Sequence, residues 1–305
     1  MKTFKALVKR EFWEHKGSFF YAPAVMVIVF AVMLVVFGLS GDRLIIDGEH
    51  EISFSEQLPK VVSSFEQLPE EAKEKAVTIG LSAPAMLFGF VMLFISMFYC
   101  LNSLYEERKD RSILFWKSLP VSDIETILSK FVSVVFLVPA IYFAVIVVFQ
   151  LFILIYVTVG SWFGGGSGVT IWTASNLFAL WFNMLVAMIG GSLWLAPLWG
   201  WFMLASSWAK KVSFLWGGLP IMLVIVCEGY IFRTTEFAQL IGERIAEGFA
   251  IQNYALYQLA GGDILDFEVN SALHSFVSAE FWGGLIVAAV LLSGAVYIRR
   301  FRDES

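Results

Sequence analysis

The sequence predicts an all-α integral membrane protein with six transmembrane helices, and three observations predict it. Of 305 residues, 58% are hydrophobic and 15% are charged, whereas about a quarter of a soluble domain is charged. Six apolar runs, near 21–39, 83–104, 131–158, 177–206, 213–232 and 281–298, match the roughly 20 residues a helix needs to cross a hydrocarbon core. The basic residues segregate as well. With both termini, the 105–130 loop and Lys210-Lys211 on one side, the other side holds only Arg43, Lys60, Lys73, Lys75, Arg233 and Arg244 of the 21 Lys and Arg. That asymmetry puts both termini in the cytoplasm.

Residues 1–20 read as an interfacial elbow helix, because Phe4, Leu7, Val8 and Phe12 recur at helical spacing among Lys2, Lys5, Lys9 and Arg10. Such a helix lies in the headgroup plane and attracts anionic lipid. A signal peptide is the competing reading. The run from Tyr21 to Leu39 is longer than a typical signal core and no A-x-A site follows, so an uncleaved first span is expected. Between spans one and two, 40–82 is an acidic external segment in which Pro69 starts a helix and Glu71 and Lys75 form an i,i+4 pair. Pro84, Pro139 and Pro220 fall near the starts of spans, where a missing N–H does least harm. The long fourth run carries Gly190-Gly191 and Pro197, so a kink or break is expected there.

The other external segment, 233–280, places Phe237, Leu240, Ile241, Ile245 and Phe249 at helical spacing. It reads as one or two short amphipathic helices before the last span. The GGGSG at 164–168 has no Gly-Lys after it and is a flexible turn rather than a phosphate cradle. Cys100 and Cys227 lie in apolar runs as packing residues, and His15, His50 and His274 are scattered, so no metal site is expected. Asn102, Gln150, Asn183, Ser192 and Ser293 are thinly spread polar groups suited to helix–helix hydrogen bonds. Glu228 is the one acid well inside a span, near its outer end. It is a candidate for gating or cargo contact, against an even alternative of snorkelling or packing.

The segment 105–130 is the most charged stretch directly between two spans. Five charges, Glu106 to Asp110, precede Arg111. An apolar patch of Ile113, Leu114, Phe115 and Trp116 then runs to Leu119-Pro120. Ser122 with Glu125 three residues on is a capping box for the next helix. The pattern suits a short amphipathic helix on the membrane surface, or one seated in a partner's groove.

This segment resembles the first cytoplasmic loop of ABC-2 transporter membrane subunits. Glu107-Arg108 match the loop's opening, Ser112 stands for its Thr, Leu119-Pro120-Val121-Ser122 match its close, and Lys130 matches the Lys that opens the next span. Arg111 replaces the usual Gly, and Trp116-Lys117 replace Leu-Leu. The resemblance implies one ABC-2 transmembrane domain over 1–305, with an elbow helix and a cytoplasmic coupling helix in 105–130. It implies an exporter permease in a bacterial inner membrane, working with a separate ATP-binding cassette subunit and a second permease copy or paralogue. The partner-binding residues it implies are Glu107, Arg108, Arg111, Ser112, Phe115, Trp116, Leu119 and Pro120. ATP and Mg are then expected on the partner and no cofactor on this chain, which lacks a Walker A motif and is not expected to be an enzyme. No nucleic acid is expected as a partner. The alternatives from other classes are a self-contained channel or carrier, and a non-transporting assembly factor.

Overall fold

The first helix ends where a wide turn lets the chain change direction. Helix α1 (Lys2–Glu14) buries Leu7 and Glu11 and leaves Lys5 and Lys9 exposed. A π-helical turn at Gly17–Tyr21 then leads into α2 (Ala22–Ser40), placing Phe19 fully inside the bundle. The computed structural model describes residues 2–40, 44–46, 50–52, 64–113, 116, 120–163, 168–174, 176–253 and 276–301. After α2, strands β1 (Leu44–Ile46) and β2 (His50–Ile52) pair antiparallel, a small addition to an otherwise helical chain. The order continues through α3 (Glu70–Asn102), α4 (Tyr105–Lys109), α5 (Asp123–Val132) and α6 (Val138–Phe163). It ends with α7 (Thr170–Thr173), α8 (Leu177–Trp194), α9 (Ala196–Trp208), α10 (Ser213–Cys227), α11 (Glu236–Gln252) and α12 (Ala279–Phe301).

Six helical stretches are long and apolar enough to cross a membrane: Gly17–Val36, Glu70–Lys109, Asp123–Trp162, Leu177–Trp194, Ser213–Phe232 and Ala279–Phe301. The chain is therefore a multi-pass helical membrane protein. Two spans run further than the apolar pattern indicates. The helix that starts at Glu70 is continuous with span two, so Pro84 lies inside it rather than near its start. A proline loosens the preceding turn. In that turn Gln150 Nε2 donates to the Leu81 carbonyl at 2.9 Å, while Trp181 Nε1 donates to Gln150 Oε1 at 2.8 Å. One buried amide thus ties α3, α6 and α8 together. Span three likewise begins at α5, and Pro139 follows a π-helical stretch at Ser133–Leu137 that absorbs its missing N–H.

The expected break in the fourth run is present. Helix α8 ends at Trp194, Leu195 leaves helical geometry with ψ 3°, and Pro197 sits in the first turn of α9. Gly190 and Gly191 serve the approach of α11: a Cβ on Gly191 would meet Gln252 Cγ at 2.3 Å and the Gly248 carbonyl at 2.6 Å. Helix α11 lies in the expected external segment but buries a different part of itself. Leu240 and Ile245 are exposed, and Gly248, Ala250, Ile251 and Gln252 are buried. The small residues win because they let backbones approach, as in membrane helix pairs generally.

The main core joins Phe19, Phe88, Tyr142, Phe149, Trp199 and Met203 from α3, α6, α9 and the first π turn. By contrast α10 is almost wholly uncovered, with Leu215, Trp216, Leu219, Met222, Leu223 and Val226 exposed. In a bilayer such a surface faces lipid or another helix.

Candidate functional site

The end of the bundle that carries the two chain termini is held by charge. Glu11 from α1 is fully buried, and both its oxygens accept from Lys130 Nζ, at 3.0 and 3.1 Å. The Tyr99 hydroxyl donates to it at 2.9 Å and Arg10 Nη2 at 2.6 Å. Lys130 also reaches Glu107 Oε1 at 3.0 Å. The second Glu107 oxygen takes Arg299 Nη1 at 2.5 Å, and Arg299 Nε donates to Asp123 at 2.9 Å. Arg10 closes the circuit, with Nη2 3.3 Å from Glu107 and Nε 3.4 Å from Glu14. Glu11, Glu107 and Asp123 thus balance Arg10, Lys130 and Arg299, across α1, α4, α5 and α12.

Helical spacing explains why these side chains point inward. Glu11 is four residues after buried Leu7, Lys130 three after buried Ile127, and Arg299 four after buried Ala295. Burial of a charge is costly unless it is paired and hydrogen-bonded, and removing one partner of such a set costs about 3–5 kcal/mol. Burial alone would raise the Glu11 carboxyl. The Lys130 ammonium and the Arg10 guanidinium outweigh that and hold it below the usual carboxylate range. His15, packed edge-on to Tyr99 at 4.9 Å, is pushed down chiefly by burial and, against the pull of Glu11, by Lys130 and Arg10.

The charge run from Glu106 to Arg111 splits by face. Glu106, Lys109, Asp110 and Arg111 are exposed, whereas Glu107 turns in. Arg108 clamps the end of α9, donating to the carbonyls of Ser206 at 2.5 Å and Ala209 at 2.9 Å. Ser206 Oγ in return accepts the N–H groups of Leu104 and Tyr105, at 3.1 and 2.9 Å. The Tyr105 hydroxyl donates to the Lys211 carbonyl. Arg111 adopts a left-handed conformation, φ 55°, directly after α4. Ser112 Oγ donates to the Glu107 carbonyl at 3.3 Å. Trp116 is half-buried, with the Arg10 guanidinium 4.0 Å from its ring centroid. Pro120 is exposed, and Phe115 and Leu119 lie outside the described residues. The expected capping box is present, with Glu125 N–H donating to Ser122 Oγ at 3.1 Å and Ser122 N–H to Glu125 at 3.2 Å.

Glu228 belongs to a different place. Its two oxygens accept the Phe237 N–H, at 3.1 Å each, and one accepts the Thr234 hydroxyl at 3.0 Å. It caps the start of α11 across a turn in which Arg233 is left-handed, φ 55°. Among the described residues Glu228 and Arg233 form no ion pair. The other polar span residues divide. Ser213 Oγ donates to Asn102 at 2.8 Å between α10 and α3, while Ser293 bonds its own helix at Ala289.

One set of possible metal ligands forms among the described residues. Glu11, Glu14 and His15 offer atoms within 4.8 Å of one another. Glu11 is already saturated by Lys130, Arg10 and Tyr99, and two cations beside it oppose a third. The site is therefore electrostatic: its ion pairs tie α4 to α1, α5 and α12. No family model, no curated protein and no solved structure matches the chain.

Proposed function

We propose that this chain is the transmembrane permease subunit of an ATP-driven transporter of the ABC-2 type, working as an exporter. A separate ATP-binding cassette subunit docks on the 105–123 stretch at the cytoplasmic face of a bacterial inner membrane. A second permease copy or paralogue completes the path, and ATP and Mg belong to the ATP-binding partner. One observation carries the reading. The Glu107-Arg108 pair on which the sequence resemblance rests is the hub joining this stretch to Lys130, Arg299 and the α9 end.

A docking partner would meet exposed Glu106, Lys109, Asp110 and Pro120, with half-buried Trp116 at their edge. Glu107 and Arg108 give force applied there a path to spans two, three and six and to α9. Such a two-state element, biased at one end by nucleotide and at the other by cargo, is what alternating access requires.

The test is affinity purification of the tagged full chain from its native membranes. An ATP-binding cassette protein is expected to co-purify, and the chain alone is expected to hydrolyse no ATP. Trp116→Ala should weaken co-purification more than Lys109→Ala, since a large aromatic anchor outweighs a rim charge. Recovery of the chain with no ATP-binding protein under mild solubilisation would sink the reading in favour of a self-contained carrier or assembly factor. Orientation has its own test: cysteines at Ser64 and Ser278 should react with an impermeant thiol reagent in intact cells, and one at Ser122 should not.

A further inference from the structure

Away from the charge network, an apolar groove of about 540 Å³ runs between the elbow, α2 and α6. That volume is in the range of small-molecule sites, about 300–1,000 Å³. Its floor exists because side chains are missing: Ala24 on α2 faces Ala140 and Ala144, one helical turn apart on α6. Phe12 and Phe20 line it from the elbow side, and Val148 lies on α6 about two turns beyond Ala140. From Ala140 to Val148 the helix rises about 12 Å, a length that part of an acyl chain can follow along α6.

The elbow side of the groove carries an exposed lysine. Lys16 lies in the turn between Phe12 and Phe20, which line the groove and whose rings pack against Trp13 and Tyr21, at 5.5 and 5.8 Å. Its ammonium lies 5.8 Å from the Trp13 ring and 6.0 Å from the Tyr21 ring, and both rings are exposed. Exposed Trp and Tyr settle at the headgroup level of a bilayer, which sets the depth of Lys16 beside them. Lys9 is exposed on α1, and among the described residues neither lysine has an ion-pair partner. The nearby Glu14 is engaged by Arg10 at 3.4 Å.

We propose that this groove is a binding site for one anionic phospholipid, an acyl chain lying along Ala24, Ala140 and Ala144 and the phosphate resting on Lys16. A zwitterionic lipid fills the apolar floor equally but leaves the lysine without a net counter-charge. A second copy of this chain related by a two-fold axis would bring a second basic elbow toward the first, so like charges oppose that occupant.

Native mass spectrometry of the purified full chain titrated with phosphatidylglycerol and phosphatidylcholine of equal chain length tests this. The wild type should retain phosphatidylglycerol in preference, by roughly fivefold for one engaged lysine. Lys16→Gln should remove that preference and leave phosphatidylcholine retention unchanged. Ala144→Phe should reduce retention of both lipids, and Ala24→Leu on the facing helix repeats that arm should Ala144→Phe fail to fold. Equal retention of the two lipids by the wild type overturns the proposal. So does a preference that survives Lys16→Gln, or one lost equally in Lys5→Gln, which would mark diffuse attraction to the elbow. Loss of a dimer rather than of lipid in Ala144→Phe would assign the groove to a second copy and overturn it as well.

Discussion

Glu107 and Glu228 both sit at the end of an apolar helix, and their surroundings could hardly differ more. Glu107 is buried and faces three cations from three other elements, Arg10, Lys130 and Arg299. Glu228 faces no cation among the described residues and is satisfied by the Phe237 N–H and the Thr234 hydroxyl a few residues on. The first acid holds distant parts of the chain together. The second shapes one local turn. An ionisable residue near a membrane span is informative through its partners, and those partners decide whether its loss is global or local.

The sharpest way to break that contrast is to unbalance the network. Lys130→Met leaves Glu11 and part of Glu107 buried without their shared cation, a change expected to cost about 3–5 kcal/mol. Thermal unfolding in detergent should show a large drop in midpoint. Lys130→Met combined with Glu11→Gln removes the uncompensated charge and should recover a substantial part of the loss. If the double variant is as unstable as the sum of the two single ones, the pair is not coupled and the network description is wrong.

Acidification attacks the same region more gradually. Glu11 has a folded pKa below its ordinary 4.5, so its stabilising contribution is complete above 4.5 and is lost as pH falls through the lower folded value. His15 is depressed below 6.5. The fold favours its neutral form, so its contribution is complete above 6.5 and declines as pH falls from 6.5 toward the folded value. Both signs agree, and stability should fall in two stages below pH 6.5. His15→Gln should abolish the upper stage only. An unchanged profile in that variant would remove His15 from the account.

For Glu228 the expected effect is smaller and confined to its neighbourhood. Glu228→Ala removes an acceptor at a helix start, together with the favourable placement of an acid at the positive end of α11. Hydrogen exchange should quicken in the first turn of α11 and stay unchanged around Lys130. A loss of transport at unchanged α11 protection would instead make Glu228 a cargo or gating residue.

The sequence made the spans legible because hydropathy over about 20 residues is a local property. The break near Pro197 and the Ser122–Glu125 box were legible for the same reason, each being written within a few residues. The charge network was legible only at Glu107. In the sequence nothing marks Glu11, Arg299 is one of several basic residues near the end of the chain, and Lys130 is a motif position. Pairing across 119 or 192 residues leaves no local trace. The one available signal was phase: each of these charges occupies an inward position on an otherwise apolar helical face. The length of α3 is not legible because Pro84 reads as a boundary, while Gln150, far along the chain, supports the loosened turn.

Arg111 offers the smallest effect and a test of why this loop departs from the family pattern it resembles. Its φ of 55° is a left-handed conformation that costs a residue with a Cβ about 1–2 kcal/mol. The ABC-2 pattern has glycine at this position. Arg111→Gly would relieve that cost but add flexibility to the unfolded chain, an opposing effect of about 0.5–1 kcal/mol. The exposed Arg111 side chain makes no ion pair among the described residues, so little else is lost. The balance lies between about 0 and 1.5 kcal/mol in favour of glycine, and the unfolding midpoint should rise slightly. If Arg111→Gly is more stable yet binds the proposed ATP-binding partner less well, the arginine is kept for docking and tolerates its backbone cost. If it is less stable, the left-handed turn is held by contacts of the Arg111 side chain, and the parallel with the family's glycine fails at this position.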